Sequence, residues 1–285
     1  MVTTRDLVLA DGRNVRVHDT GGPDTRSPDA DGTPTLLWHH GSPQTGAPLE
    51  PLVSAAAARG IRLLTYARPS YGGSTPQPGR DVAAAAADVE QIADAAGVAR
   101  LAVMGASGGG PHALACAALL PDRVTAAVCL ASPAPFTTAF EWFAGMADDG
   151  GLRAARAGRE ARARFAESAE FDPNVFTPAD WAALEGRWSS LGADAQQAGA
   201  AGPDGLIDDD LAFAGPWGFD VGQITAPVLL VQGGEDRMIP PAHAAWLQRL
   251  CPTAELWWRP GDGHVSVLDA CPAAMDWLLA PGRRP

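Results

Sequence analysis

The chain has 285 residues, of which 46% are hydrophobic, so it is globular material with enough length for one large core or for one domain carrying an inserted lobe. Its formal net charge of −12 argues against nucleic acid and anionic membrane surfaces as partners, since both select a basic face. The first residues, "MVTTRDLVLADG", lack the cationic head and apolar core of a secretory signal, and no apolar run approaches the roughly 18 residues of a membrane span.

In chain order, "RDLVLA" and "NVRVHD" read as a hairpin joined by a turn containing "DG". A Gly-, Pro- and Asp-rich stretch, 21–34, follows as a surface loop. Six apolar runs come next: "TLLWHHG" (35–41), "IRLLTYA" (61–67), "LAVMGAS" (101–107), "VTAAVCLAS" (124–132), "PVLLVQGG" (227–234) and "AELWWRPG" (254–261). They are apolar on both parities, as strands of a parallel sheet covered on both faces should be. Helical patterns lie between them near 48–58, 81–96, 110–120, 240–250 and 266–279. The alternation predicts an α/β fold: a mostly parallel central sheet with helices on both faces.

One interval breaks the alternation. Residues 134–217 show helical pattern without a strand and read as an inserted helical lobe, leaving 1–133 and 218–285 as the core domain. All eight phenylalanines fall between Phe136 and Phe219. They are expected to build a small core for the lobe, or to line a pocket facing the sheet.

The segment "VMGASGGGPHAL" (103–114) spends four glycines where a strand meets a helix. Gly105-Ala106-Ser107-Gly108-Gly109 is a G-x-S-x-G pattern, in which a sharp strand-to-helix turn raises the serine Oγ above the carboxyl edge of the sheet. Close passage of neighbouring chains two residues before and after Ser107 explains Gly105 and Gly109. Pro111 suits the first helical turn, and the free N–H groups there face any anion forming at the serine. Alone this pattern is weak. Three further loops should emerge at the same edge: His40-Gly41-Ser42-Pro43, "GGEDRMIPP" with Asp236, and "PGDGHVSVL" with His264.

Together these motifs resemble the α/β-hydrolase fold family, in its form with an inserted helical cap, over essentially the whole chain. "ARPSYGGS" (67–74) is similar to the family's D-R-P-G-Y-G-x-S loop, with Ala67 and Ser70 departing from it. The resemblance implies Ser107 as nucleophile, His264 as general base and Asp236 as the acid that fixes the imidazole. Glu235 is the competing acid, and the family pattern favours Asp236. The backbone N–H groups of Ser42 and Gly108 are the expected oxyanion hole, with the Ser42 side chain ordering the loop.

Other chemistry-bearing residues take plainer readings. Consecutive His39 and His40 point to opposite faces of a strand, and His40 braces a loop. His18, His112 and His243 form no ligand spacing, so no metal is expected, and the chemistry requires no cofactor. Asp208-Asp209-Asp210 reads as a solvated turn and the arginines of 153–164 as a solvated face. Cys116, Cys129, Cys251 and Cys271 form no CxxC and suit buried thiols in a reducing cytoplasm, with a Cys251–Cys271 bridge left open.

The resulting expectation is a cytoplasmic serine hydrolase that cleaves a carboxylic ester, lactone or thioester through an acyl-enzyme. Its partner is a small molecule with an apolar acyl or alkyl part. Three alternatives remain open: a proline iminopeptidase-like aminopeptidase, a carbon–carbon bond hydrolase or cofactor-free perhydrolase, and a ligand receptor on the same scaffold. The G-G-S-W-G elbow usual for the peptidases is not matched, because Ala106 precedes the serine and Gly108 follows it.

Overall fold

A computed structural model describes residues 2–21 and 33–280, and every count below refers to these. Most of the predicted loop at 21–34 lies outside the described residues. The chain opens with β1 (Thr3–Val8) antiparallel to β2 (Asn14–Asp19), and Gly12 at φ +85° takes the left-handed position of the predicted turn. Then follow β3 (Thr35–His39), α1 (Glu50–Ala57), β4 (Arg62–Tyr66), α2 (Ala84–Ala95), β5 (Leu101–Ala106), α3 (Gly109–Leu119) and β6 (Val124–Leu130). Five helices come next: α4 (Gly150–Arg156), α5 (Arg159–Ser168), α6 (Pro178–Glu185), α7 (Ser189–Ala200) and α8 (Asp204–Ala214). The chain closes with β7 (Val228–Gly233), α9 (Ala242–Leu250), β8 (Ala254–Arg259) and α10 (Cys271–Leu278).

The strands form one sheet in the order β1-β2-β4-β3-β5-β6-β7-β8, antiparallel at β1, β2 and β4 and parallel from β4 to β8. Every residue of β3, β4, β5, β6 and β7 is buried, which is why these runs are apolar on both parities. Alternate residues feed opposite cores. Leu37, Leu64 and Val103 meet Val89 and Ile92 of α2 and Leu114 of α3, while Leu36, Leu63 and Met104 meet Leu52 of α1 and Met275 of α10. The strand ends matter most for function. β3 and β5 are neighbours, yet the chain leaves β3 toward β4 and leaves β5 toward β6, so a crevice opens between their carboxyl ends.

Residues 134–217 contain no strand among the described residues, as expected. Their aromatic residues divide: Phe136, Trp142 and Phe143 pack on one another, as do Phe171, Phe176 and Trp181, while others join the sheet core. Phe213 and Trp217 join the cluster on the α2–α3 face, and Trp188 joins the cluster on the α1–α10 face. Five helices cannot bury all their apolar surface against each other, and the sheet core is the larger apolar partner. All four cysteines are free and buried, so Cys251 and Cys271 are not bridged. No described helix is long and apolar enough to cross a membrane.

Trp188 is fully buried against residues of the sheet core and donates its Nε1–H to Asp269 Oδ1 at 2.9 Å. Trp188→Ala is therefore expected to lower the free energy of unfolding by about 3–5 kcal/mol in a single cooperative transition. Urea denaturation followed by circular dichroism measures it; a separate early transition for residues 134–217 would contradict the shared core.

Candidate active site

Ser107 stands between the last residue of β5 and the first of α3, half-buried, at φ +51°. That left-handed conformation is strained for a serine, and the surroundings impose it. The Ser107 N–H donates to the Leu130 carbonyl at 2.8 Å, and the Ser107 carbonyl accepts from Gly110 N–H at 3.0 Å. A Cβ on Gly105 would strike the Gly109 carbonyl, and one on Gly109 would strike the His39 carbonyl at the end of β3. The predicted close approach two residues either side of the serine is thus present, with its partners named.

The predicted oxyanion loop lies directly alongside. A side chain on Gly108 would overlap Ser42 Oγ, and one on Gly41 would sit 3.7 Å from the Ser107 Cβ. Gly41 N–H is occupied by Gln44 Oε1 at 2.5 Å. Neither the Ser42 nor the Gly108 N–H makes a hydrogen bond to another described residue. Two free N–H groups therefore flank the serine. The Ser42 hydroxyl is already committed, donating to Asp209 Oδ2 and accepting from Arg68 Nη2 at 3.0 Å, so it orders the loop.

On the other side, His264 Nδ1 donates to Asp236 Oδ2 at 2.9 Å. Asp236 is buried, and its Oδ1 accepts the backbone N–H groups of Met238 and Ile239, each at 2.9 Å. Glu235 is exposed and its N–H pairs with the Asp262 carbonyl at 3.0 Å, so Asp236 is the acid that meets the imidazole. A carboxylate only accepts, so Nδ1 carries the proton and Nε2 of the neutral ring keeps its lone pair. Burial alone would depress this imidazole, but the charge and hydrogen bond of Asp236, with the charge of Asp180, outweigh it and raise the pKa. Ser107 Oγ makes no hydrogen bond to another described residue, so the direct contact is between His264 and Asp236.

The family model of the α/β hydrolase fold matches residues 34–270. The chain belongs to that family. Solved structures agree on the fold: a thermophilic esterase from Thermogutta terrifontis aligns at 20% identity over 99% of both chains with a TM-score of 0.72. A bromoperoxidase from Bacillus anthracis aligns at 21% identity over 98% of both, also at 0.72. A group of epoxide hydrolases from hot-environment metagenomes aligns at 21% identity over 98% of this chain and 99% of theirs, at 0.65. Among curated proteins no sequence matches this chain.

The departures from the family's strand-end loop have physical readings. Ser70 lies at φ +74°, in the left-handed region that accounts for a glycine in the family pattern, and its Oγ donates to Asp208 Oδ2 at 2.8 Å. Asp208, Asp209 and Asp210 are not a solvated turn: all three lie on α8 and are buried. Asp209 Oδ2 accepts from Arg68 Nη2 at 2.6 Å and from the Tyr71 hydroxyl at 3.0 Å, while Oδ1 accepts from Arg80 Nη2 at 2.5 Å. Burial opposes its charge, but the two guanidinium groups hold its pKa well below the usual carboxylate range. Arg68 in turn donates to the carbonyls of His40 and Gly41, which ties the loop beside Ser107 to α8. Nor are the arginines of 153–164 uniformly solvated, because Arg162 is buried on Asp210 at 2.6 Å and Arg159 pairs with Asp208.

His40 braces this loop as expected: its Nδ1 donates to the Gly41 carbonyl at 2.6 Å and its Nε2 accepts from Arg68 N–H at 3.1 Å. No group of three His, Cys, Asp or Glu side chains among the described residues is arranged to hold a metal ion. Sequence alone assigned no role to Arg68 or Arg80 and put Asp209 in a solvated turn, although Arg68 and Tyr71 fall inside the quoted "ARPSYGGS" motif. Asp209→Asn, which leaves two buried guanidinium groups short of an anion, is expected to lower stability by about 3–5 kcal/mol, measurable by urea unfolding. A cost below about 1 kcal/mol would show the cluster to be solvated.

Proposed function

We propose that the protein is a serine hydrolase cleaving a carboxylic ester, lactone or thioester of a small molecule, with residues 134–217 as a cap over the site. The observation that carries this reading is the buried His264–Asp236 hydrogen bond, at the same sheet edge as a serine held at positive φ between two free N–H groups. In this reading Ser107 Oγ attacks the carbonyl carbon while its proton passes to His264 Nε2. The carbonyl oxygen becomes an oxyanion and accepts from the N–H groups of Ser42 and Gly108. Collapse breaks the bond to the leaving group, which takes the proton from His264. Water then attacks the acyl carbon, gives its proton to His264, and releases the acid with Ser107 restored. Asp236 keeps the imidazole in one tautomer and stabilises the imidazolium.

Serine at position 107 supports acyl transfer over epoxide opening, which calls for a carboxylate at the elbow of this fold. The four free buried thiols suit a reducing, cytoplasmic setting. Fluorophosphonate labelling is expected to modify Ser107, and Ser107→Ala to abolish it while lowering kcat on p-nitrophenyl esters by about 10⁴-fold or more. Faster cleavage of prolyl amides than of any ester would favour a peptidase, and binding without turnover a receptor.

The pH dependence has a defined sign. The general base must be neutral, so kcat/KM falls as pH drops through the His264 pKa, which lies above the ordinary histidine value of about 6.5. An acid limb centred above that value in a pH–rate profile is expected; one centred well below it would mean that another group controls the rate.

A further inference from the structure

Asp180 lies on α6, inside the insertion, and is fully buried. Its Oδ2 accepts from Thr177 N–H and Thr177 Oγ1, each at 2.9 Å, and the Asp180 N–H returns a bond to Thr177 Oγ1 at 3.2 Å. This is a capping box, and it accounts for one carboxylate oxygen. The other has no role in the helix. Oδ1 accepts from Val265 N–H at 2.8 Å, Ser266 N–H at 2.8 Å and Ser266 Oγ at 2.9 Å. Gly263 packs so closely on the carboxylate that a Cβ there would overlap Oδ2, and its N–H donates to Ser266 Oγ at 2.8 Å. The two residues after His264 are therefore hydrogen-bonded to Asp180, and the one before it packs against the same carboxylate.

We propose that Asp180 is a positioning residue for His264, holding the loop that presents the imidazole while its charge favours the imidazolium formed during turnover. The proposal rests on the reading of His264 as general base. Two carboxylates then act on one histidine: Asp236 grips the ring through Nδ1, and Asp180 grips the backbone at the next two residues. The charged groups that face His264 are Asp236, from the loop after β7, and Asp180, from α6. Asp180 itself is ionised, because N–H donors from Ser266, Thr177 and Val265 outweigh the burial that would raise its pKa. A helix cap alone would need only Oδ2, and it would leave the catalytic loop indifferent to residue 180.

The test compares wild type, Asp180→Asn and Thr177→Val. Asp180→Asn removes the charge, and is expected to lower kcat on a p-nitrophenyl ester by about ten- to a hundredfold with little change in KM. The acid limb of kcat/KM should move to lower pH, since a nearby anion that raised the His264 pKa has gone. Thr177→Val weakens the same helix cap but keeps the anion, so it should lower the melting temperature and leave the limb in place. An unmoved limb in Asp180→Asn, or the same shift in Thr177→Val, would overturn the proposal.

A second readout does not depend on turnover. The His264 pKa followed by NMR in labelled protein should fall in Asp180→Asn even if the wild type hydrolyses none of the esters offered, which separates this inference from the proposed activity. Should that variant not fold, hydrogen exchange in the wild type decides. Amides of Val265 and Ser266 that exchange as slowly as those of β7 support the proposal, and rapid exchange there sinks it.

Discussion

The structure turns on a backbone contact that only glycine permits. Gly105 passes against the carbonyl of Gly109, and Gly109 against the carbonyl of His39, so β3, β5 and α3 meet at one point with no side chain between them. The reversal at Ser107 follows from that packing, and so does its positive φ. Because α3 starts two residues after the serine, the N–H of Gly108 is left free beside it, and the loop after β3 brings the N–H of Ser42 alongside. A methyl group at either glycine would have to push apart elements whose neighbours are already close-packed.

Around this point the helices of residues 134–217 supply two buried carboxylates with complementary duties. Asp209 sits between two guanidinium groups and accepts from two hydroxyls, one of them Ser42, so it governs the loop after β3. Asp180 is surrounded by three backbone N–H groups and two hydroxyls and governs the loop after β8. These loops approach from opposite sides of β5 in the strand order. Burying an unpaired carboxylate would be prohibitive, and the full set of donors is what makes each position tolerable. Residues 134–217 are thus coupled to the sheet edge through charge as well as through the aromatic contacts of Trp188 and Phe213.

Much of the fold was legible because its signals are local. Apolar residues on both parities marked β3 to β7, the Asp11-Gly12 turn marked the opening hairpin, and the glycines around Ser107 marked a place of close approach. Other features were misread for the opposite reason. Three consecutive aspartates look solvated when only their own neighbours are visible, yet Asp209 finds Arg68 and Arg80 more than a hundred residues earlier in the chain. Nothing in a linear pattern told which aromatic residues of 134–217 pack on each other and which, like Phe213 and Trp188, reach the sheet core. The capping box of α6 uses Asp180 Oδ2 alone, and no local pattern tells what Oδ1 meets.

By itself the sequence determined the order and type of most elements and the close-approach glycines around Ser107, since periodicity and turn chemistry act over a few residues, while the candidate acid and histidine came with the family resemblance of the motifs. Tertiary structure alone decided that Asp209 is buried between Arg68 and Arg80, that the Ser42 hydroxyl is taken up by Asp209 and Arg68, and that acids of the 134–217 segment hold two loops of the sheet edge. The physical reason is desolvation. Whether a carboxylate is buried and charged depends on every donor that folding brings around it, and those donors come from distant parts of the chain.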